Sequence, residues 1–134
     1  MKKSKVLSVI LFLAGLLIMV VGAATLFIPE VFSAKHGVIL GSDINLLNDI
    51  RGAGGLMLGT GILIMLGAFV EKMTFTSAVV GSVMYLFFAG SRMIAILLDG
   101  VPAEGLIKAT VVETVVGLVV LMAFLKYRQQ AISA

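Results

Sequence analysis

Residues 77–125 read SAVVGSVMYLFFAGSRMIAILLDGVPAEGLIKATVVETVVGLVVLMAFL, and their pattern decides the architecture. Two apolar runs, 77–98 and 106–125, flank a break at Asp99-Gly100-Val101-Pro102. Each run is long enough to cross a hydrocarbon layer about 30 Å thick, which takes about 20 helical residues. Gly100 and Pro102 stop helices, and so short a link makes the two runs antiparallel neighbours. Charges nevertheless lie inside them: Arg92 in the first, Lys108 and Glu113 in the second. At 1.5 Å per residue, Arg92 stands about 10 Å before Asp99, and Glu113 about 12 Å after Gly105. Both distances start from the same face. The two opposite charges therefore arrive at nearly one depth on adjoining helices. Either alone would cost about 2.5–3.5 kcal/mol on insertion scales. Paired and turned into a bundle, much of that cost is offset, although a buried pair is not in itself a net stabilisation.

Outward from this stretch, two more runs lack any charge, 6–28 and 52–70. No segment alternates over ten residues as a membrane barrel strand must, so the spans are helices. Helices are expected at about 6–28, 43–70, 77–98 and 106–127. Pro29 stops the first, Ser42 or Asp43 caps the second, and 29–42 forms the one long loop. Within that loop 30–41 is expected to lie along the membrane interface, anchored by Phe32, Val38 and Leu40. The fold class is all-α: a single-domain integral membrane four-helix bundle, antiparallel and up-down, with both termini inside. Met1-Lys2-Lys3-Ser4-Lys5 before an apolar run also has the look of a signal peptide, with Gly22-Ala23-Ala24 as a cleavage site. The run continues well past that point and is long for a signal segment, so it is expected to stay as a helix.

The composition agrees. Of 134 residues 60% are hydrophobic and only 13% charged, with a mean hydropathy of +1.19. Soluble domains carry about 25% charged residues, and a chain this short cannot bury so much apolar surface within itself. There is no cysteine, which excludes disulfides and thiolate metal sites. Lys2, Lys3 and Lys5, then Lys72, then Lys126 and Arg128 fall on one face, whereas the other has Lys35, Arg51 and Lys108 together with most of the acids, Glu30, Asp43, Asp49, Asp99 and Glu104. The positive-inside rule makes the first face cytoplasmic, in a bacterial cytoplasmic membrane. The basic balance is this collar. No basic patch interleaved with aromatics points to nucleic acid.

Small and polar residues form stripes. Gly55 and Gly59 make a small-xxx-small pair suited to close helix packing, or to a dimer face or ligand groove. Gly15 and Gly22, and Ser77 with Gly81, are candidates to face them. The glycine cluster is not a phosphate loop, since no strand precedes it and no lysine-serine ending follows. Tyr85, Arg92 and Asp99 recur every seven residues, while Thr110, Glu113 and Gly117 share a stripe, with Gly117 admitting a close neighbour. Asn48, Gly52, Gly55 and Gly59 form another, beside Arg51. The expected result is a shallow polar pocket at the non-cytoplasmic face, lined by Asn48, Arg51, Tyr85, Arg92, Asp99 and Glu113. Glu104 and Lys108 read as an interfacial i,i+4 pair. His36, the single histidine, reads as an exposed loop residue with no metal site around it. The eight methionines read as packing filler. No metal and no cofactor is expected.

Taken together, Asn48-Asp49-Ile50-Arg51-Gly52, Gly54-Gly55 with Gly59, Arg92 followed by Asp99-Gly100-Val101-Pro102, and Glu113 resemble a bacterial family of small four-helix membrane proteins of unknown function, itself related to the DoxX-like membrane proteins. The likeness runs from about Pro29 onward. It implies a four-helix bundle in the cytoplasmic membrane and supplies no activity. DoxX-like relatives are often accessory subunits of redox systems; this chain offers no visible ligand for a redox cofactor.

Three functional readings stand open. The first is an accessory or interaction protein among membrane lipids, with a protein partner or a second copy, binding a small amphiphile in the Arg51–Arg92–Glu113 pocket. The second is a small membrane enzyme with Glu113 as acid or base and the two arginines placing a polar substrate. The third is a dimeric proton-coupled exporter. Beside all three stands the reading of Arg92 and Glu113 as a purely structural ion pair that fixes helix register.

Overall fold

The computed structural model describes residues 4–133. Lys2 and Lys3 of the positive flank lie outside the described residues.

Helix α1 spans Lys5–Phe27. Ser4 caps it, its Oγ accepting from the Leu7 amide at 3.3 Å. The helix stops because Pro29 has no N–H to continue the ladder. The same proline, with φ preset for a first helical position, opens a second short helix, α2 (Pro29–Lys35). Glu30 in its first turn and Lys35 in its last suit the helix dipole. The connection is thus partly helical, and Phe32, Val38 and Leu40 turn inward to line a cavity. The residues left outside are Val31 and Ile39, the latter 93% exposed. Gly37 and Gly41, with φ of 81° and 68°, bring the chain round.

Asp43 then caps α3 (Ile44–Phe69), its Oδ1 accepting from Asn45 at 2.9 Å and Leu46 at 3.4 Å. A 3₁₀ turn, Glu71–Met73, leads into α4 (Thr74–Asp99). The Thr74 hydroxyl, buried, donates to the Gly67 carbonyl at 3.0 Å and ties this turn to the end of α3. Gly100, at φ 101°, ends α4, and α5 runs over Glu104–Ser133.

Four helices, α1, α3, α4 and α5, are long and apolar enough to cross a membrane. At 1.5 Å per residue the 26-residue α3 and α4 are about 39 Å long, enough to cross the hydrocarbon with some tilt. Their outward faces are as apolar as the core: Val20, Phe87 and Met122 are mostly exposed. Water would penalise such a surface, and lipid does not. With four crossings both termini share one end of the bundle, and the 28–43 and 100–103 connections share the other, called here the loop end.

The most extensive helix pairing is α1 on α3. Gly15 stands opposite Gly61, and Gly22 opposite Gly54. A Cβ on Gly54 would lie 2.6 Å from the Leu26 amide nitrogen, and one on Gly22 2.9 Å from the Gly54 carbonyl oxygen. The two backbones touch, as small residues in membrane helices allow. Gly55 and Gly59, expected to make this contact, do not: a Cβ on either meets nothing within 4 Å. One residue is about 100° around a helix, so a contact centred on Gly54 turns Gly55 and Gly59 away. The same rotation leaves Asn48 exposed.

Between α3 and α4 the Ser77 hydroxyl donates to the Leu63 carbonyl at 2.6 Å. Between α4 and α5, Gly117 receives Leu86 and Tyr85, whose atoms lie 2.8–3.1 Å from the place of its absent Cβ. The core they enclose contains Leu11, Ile18, Ile64, Tyr85 and Val120.

Candidate functional site

At the loop end the four long helices do not close completely. They leave a cavity of about 1000 Å³ beneath α2. Its walls are apolar. Ile18 and Val21 come from α1, Ile50, Ala53 and Met57 from α3, Phe88 from α4, and Val112 from α5. On α3 those three residues fall at steps of three and four, so one helix face supplies the whole wall.

Arg92 and Glu113 stand partway down. The Arg92 Nε donates to Glu113 Oε2 at 3.0 Å. Their side chains are 29% and 16% exposed, so neither is sealed off, and Arg92 also borders a shallow groove along the outer face of α4. The guanidinium carbon lies 5.1 Å from the centroid of the Phe88 ring, a cation–π contact. Nε is one of five N–H donors on arginine. Among the described residues the Nη groups find no hydrogen-bond partner, which leaves them able to donate to a ligand.

Tyr85 lies deeper and is buried, its hydroxyl donating to the Ala14 carbonyl of α1 at 2.6 Å. That hydrogen bond joins α4 to α1 across the floor.

Three of the six residues expected to line the pocket therefore meet there: Tyr85, Arg92 and Glu113. The other three do not. Arg51 is turned toward α1, where its Nη1 donates to the Leu26 carbonyl at 2.5 Å and the Phe27 carbonyl at 3.4 Å. These are among the last carbonyls of α1, which have no partner inside their own helix, and the arginine satisfies them. Arg51 lies three residues from Gly54 and shares its α1-facing side, so the close glycine contact brings it there. Asp99 is the last residue of α4 and is exposed outside the cavity lining. Asn48 looks outward with Gly55 and Gly59.

The structure adds a rim that the spacing of the spans does not reveal. Lys35 and His36 at the end of α2, with Glu104 and Lys108 at the start of α5, complete the lining. Lys108 Nζ pairs with Glu104 Oε1 at 2.7 Å, four residues apart. His36 is half-buried rather than an exposed loop residue. Its Nδ1 is 2.9 Å from the Phe32 carbonyl oxygen, which can only accept, so Nδ1 carries the proton. The His36 ring also packs at 4.6 Å on that of Phe32. Gly105 fixes this corner: a Cβ there would lie 2.7 Å from the His36 Cα, so α2 rests directly on the first turn of α5. The signal for this rim is Pro29, Glu30 and Lys35, a helix start and stop in a segment too short to show periodicity.

No curated protein and no solved structure matches the chain. A known family does match, and it takes in α1, α3 and α4, the first two thirds of α5, and the cavity with its short roof helix. Residues 6–124 match DUF4345, a domain of unknown function, and the chain belongs to this family.

Proposed function

We propose that this small multi-pass membrane protein binds a small amphiphile in the cavity under α2, and serves as an accessory protein of the bacterial cytoplasmic membrane. The observation that carries the reading is the cavity itself. Its volume, about 1000 Å³, is at the upper end of the ~300–1000 Å³ of small-molecule sites. It combines apolar walls with a few convergent polar groups, as such sites do. The Nη donors of Arg92, without a partner among the described residues, supply a polar contact partway down. The apolar floor accepts a hydrocarbon tail.

Both termini are taken as cytoplasmic, because Lys5, Lys72, Lys126 and Arg128 gather at their end of the bundle. The cavity then faces the outer leaflet. A relation to DoxX-like membrane proteins belongs to the same proposal and rests on the motifs from Asn48 to Glu113. The enzyme reading loses one of its two arginines, since Arg51 is occupied at the end of α1.

The test is mass spectrometry of amphiphiles that co-purify with the protein in a mild detergent. One amphiphile should be enriched over its share of the bulk membrane, and the enrichment should fall in Arg92→Ala. A profile identical to bulk lipid would contradict the proposal.

A further inference from the structure

The charges lining the cavity are unequal. The cations are Lys35, Arg92 and Lys108, and the acids are Glu104 and Glu113. Each acid is already paired: Glu113 with Arg92 at 3.0 Å, Glu104 with Lys108 at 2.7 Å. Lys35 has no acidic partner within ion-pair distance among the described residues. It stands at the C-terminal end of α2, held over the rim by the contact between His36 and Gly105.

We infer that the amphiphile bound here carries an anionic headgroup, which Lys35 receives at the rim. The inference rests on the amphiphile-binding reading and specifies its ligand class. An anion placed lower, beside Arg92, would meet a neutral pair and gain little net attraction. At the rim it meets one uncompensated positive charge, with the apolar walls below for its tail.

The surroundings separate a lipid from a free anion. Glu30, Asp43, Asp49 and Asp99 all lie at this end but outside the lining. Even with Arg51 at the same end, they leave its outer surface net negative, which disfavours a free anion. An amphiphile gains in addition the burial of its tail against the apolar walls, which holds its headgroup beside Lys35.

The experiment uses the full chain in phosphatidylcholine nanodiscs, with empty discs as the background. Three probes share one alkyl chain: dodecyl phosphate, dodecanol and dodecylamine. A single lysine near an anionic headgroup contributes about fivefold in affinity. Dodecyl phosphate should therefore bind about fivefold tighter than dodecanol, on the same basis. Lys35→Ala should abolish that difference while leaving dodecanol unchanged, and Lys35→Glu should shift the preference to dodecylamine. Lys35 is exposed, so these changes leave the packing intact. Equal binding of the phosphate and the alcohol by the unaltered protein would overturn the headgroup assignment and leave amphiphile binding standing. So would a preference that survives Lys35→Ala. Binding of no probe above empty discs would defeat both readings.

Discussion

Arg92 Nε donates to Glu113 Oε2 at 3.0 Å, from α4 to α5, partway down a cavity whose walls are otherwise apolar. The pair is partly open, so its loss costs less than that of a sealed one. Arg92→Ala and Glu113→Gln should each destabilise the protein by about 2 kcal/mol, because each strands the partner in a low-dielectric site. The double substitution should cost much less than the sum, with a coupling of about 1–2 kcal/mol. Unfolding in detergent, followed as a full double-mutant cycle, measures both. Strict additivity would mean that the two groups do not act together.

The α1–α3 contact makes a sharper distinction between glycines. Gly22→Ala should destabilise by about 1–3 kcal/mol, since the new methyl group meets backbone on α3 and neither helix can yield by a rotamer change. Gly55→Ala and Gly59→Ala should be neutral or mildly stabilising, by up to ~1 kcal/mol each from better helix propensity. The same detergent unfolding compares all three.

This difference also marks how far the sequence could be read. The four spans and the meeting of Arg92 with Glu113 were legible because both follow from counting along single helices joined by a short link. The face that α3 turns to α1 was not, because two glycine registers, one residue apart, are equally plausible in the sequence. Gly55-xxx-Gly59 fits the familiar small-residue pattern. The register in use instead pairs Gly54 and Gly61 with Gly22 and Gly15, at matching steps of seven residues on both helices. That single rotation displaced Asn48 and Arg51 from the pocket as well. His36 and Lys35 were missed for another reason. Their helix has only seven residues, and its place over the cavity depends on Gly105, more than sixty positions away.

Arg51→Ala should destabilise the protein by about 1–2 kcal/mol, because the final carbonyls of α1 lose a charged donor. Amphiphile binding should persist in the variant that remains folded, since Arg51 does not line the cavity. Hydrogen exchange should rise at residues 24–28 and stay unchanged at residues 106–113.

Gly105→Ala places a methyl group against the backbone of His36. The segment 29–41 should lift from α5, at a cost of about 1–3 kcal/mol in local packing. Faster hydrogen exchange confined to that segment, with weaker binding of dodecyl phosphate, is the expected pair of results.

The most direct measurement is native mass spectrometry of the protein released from detergent, comparing the unaltered chain with Ala109→Phe. Ala109 lines the cavity one helical turn from Glu113 and bears no charge, so the larger ring fills the space while every charged residue keeps its identity. The account predicts a discrete bound amphiphile on the unaltered chain and its loss from Ala109→Phe, with the fold intact. An equal load on both, or none on either, would contradict it.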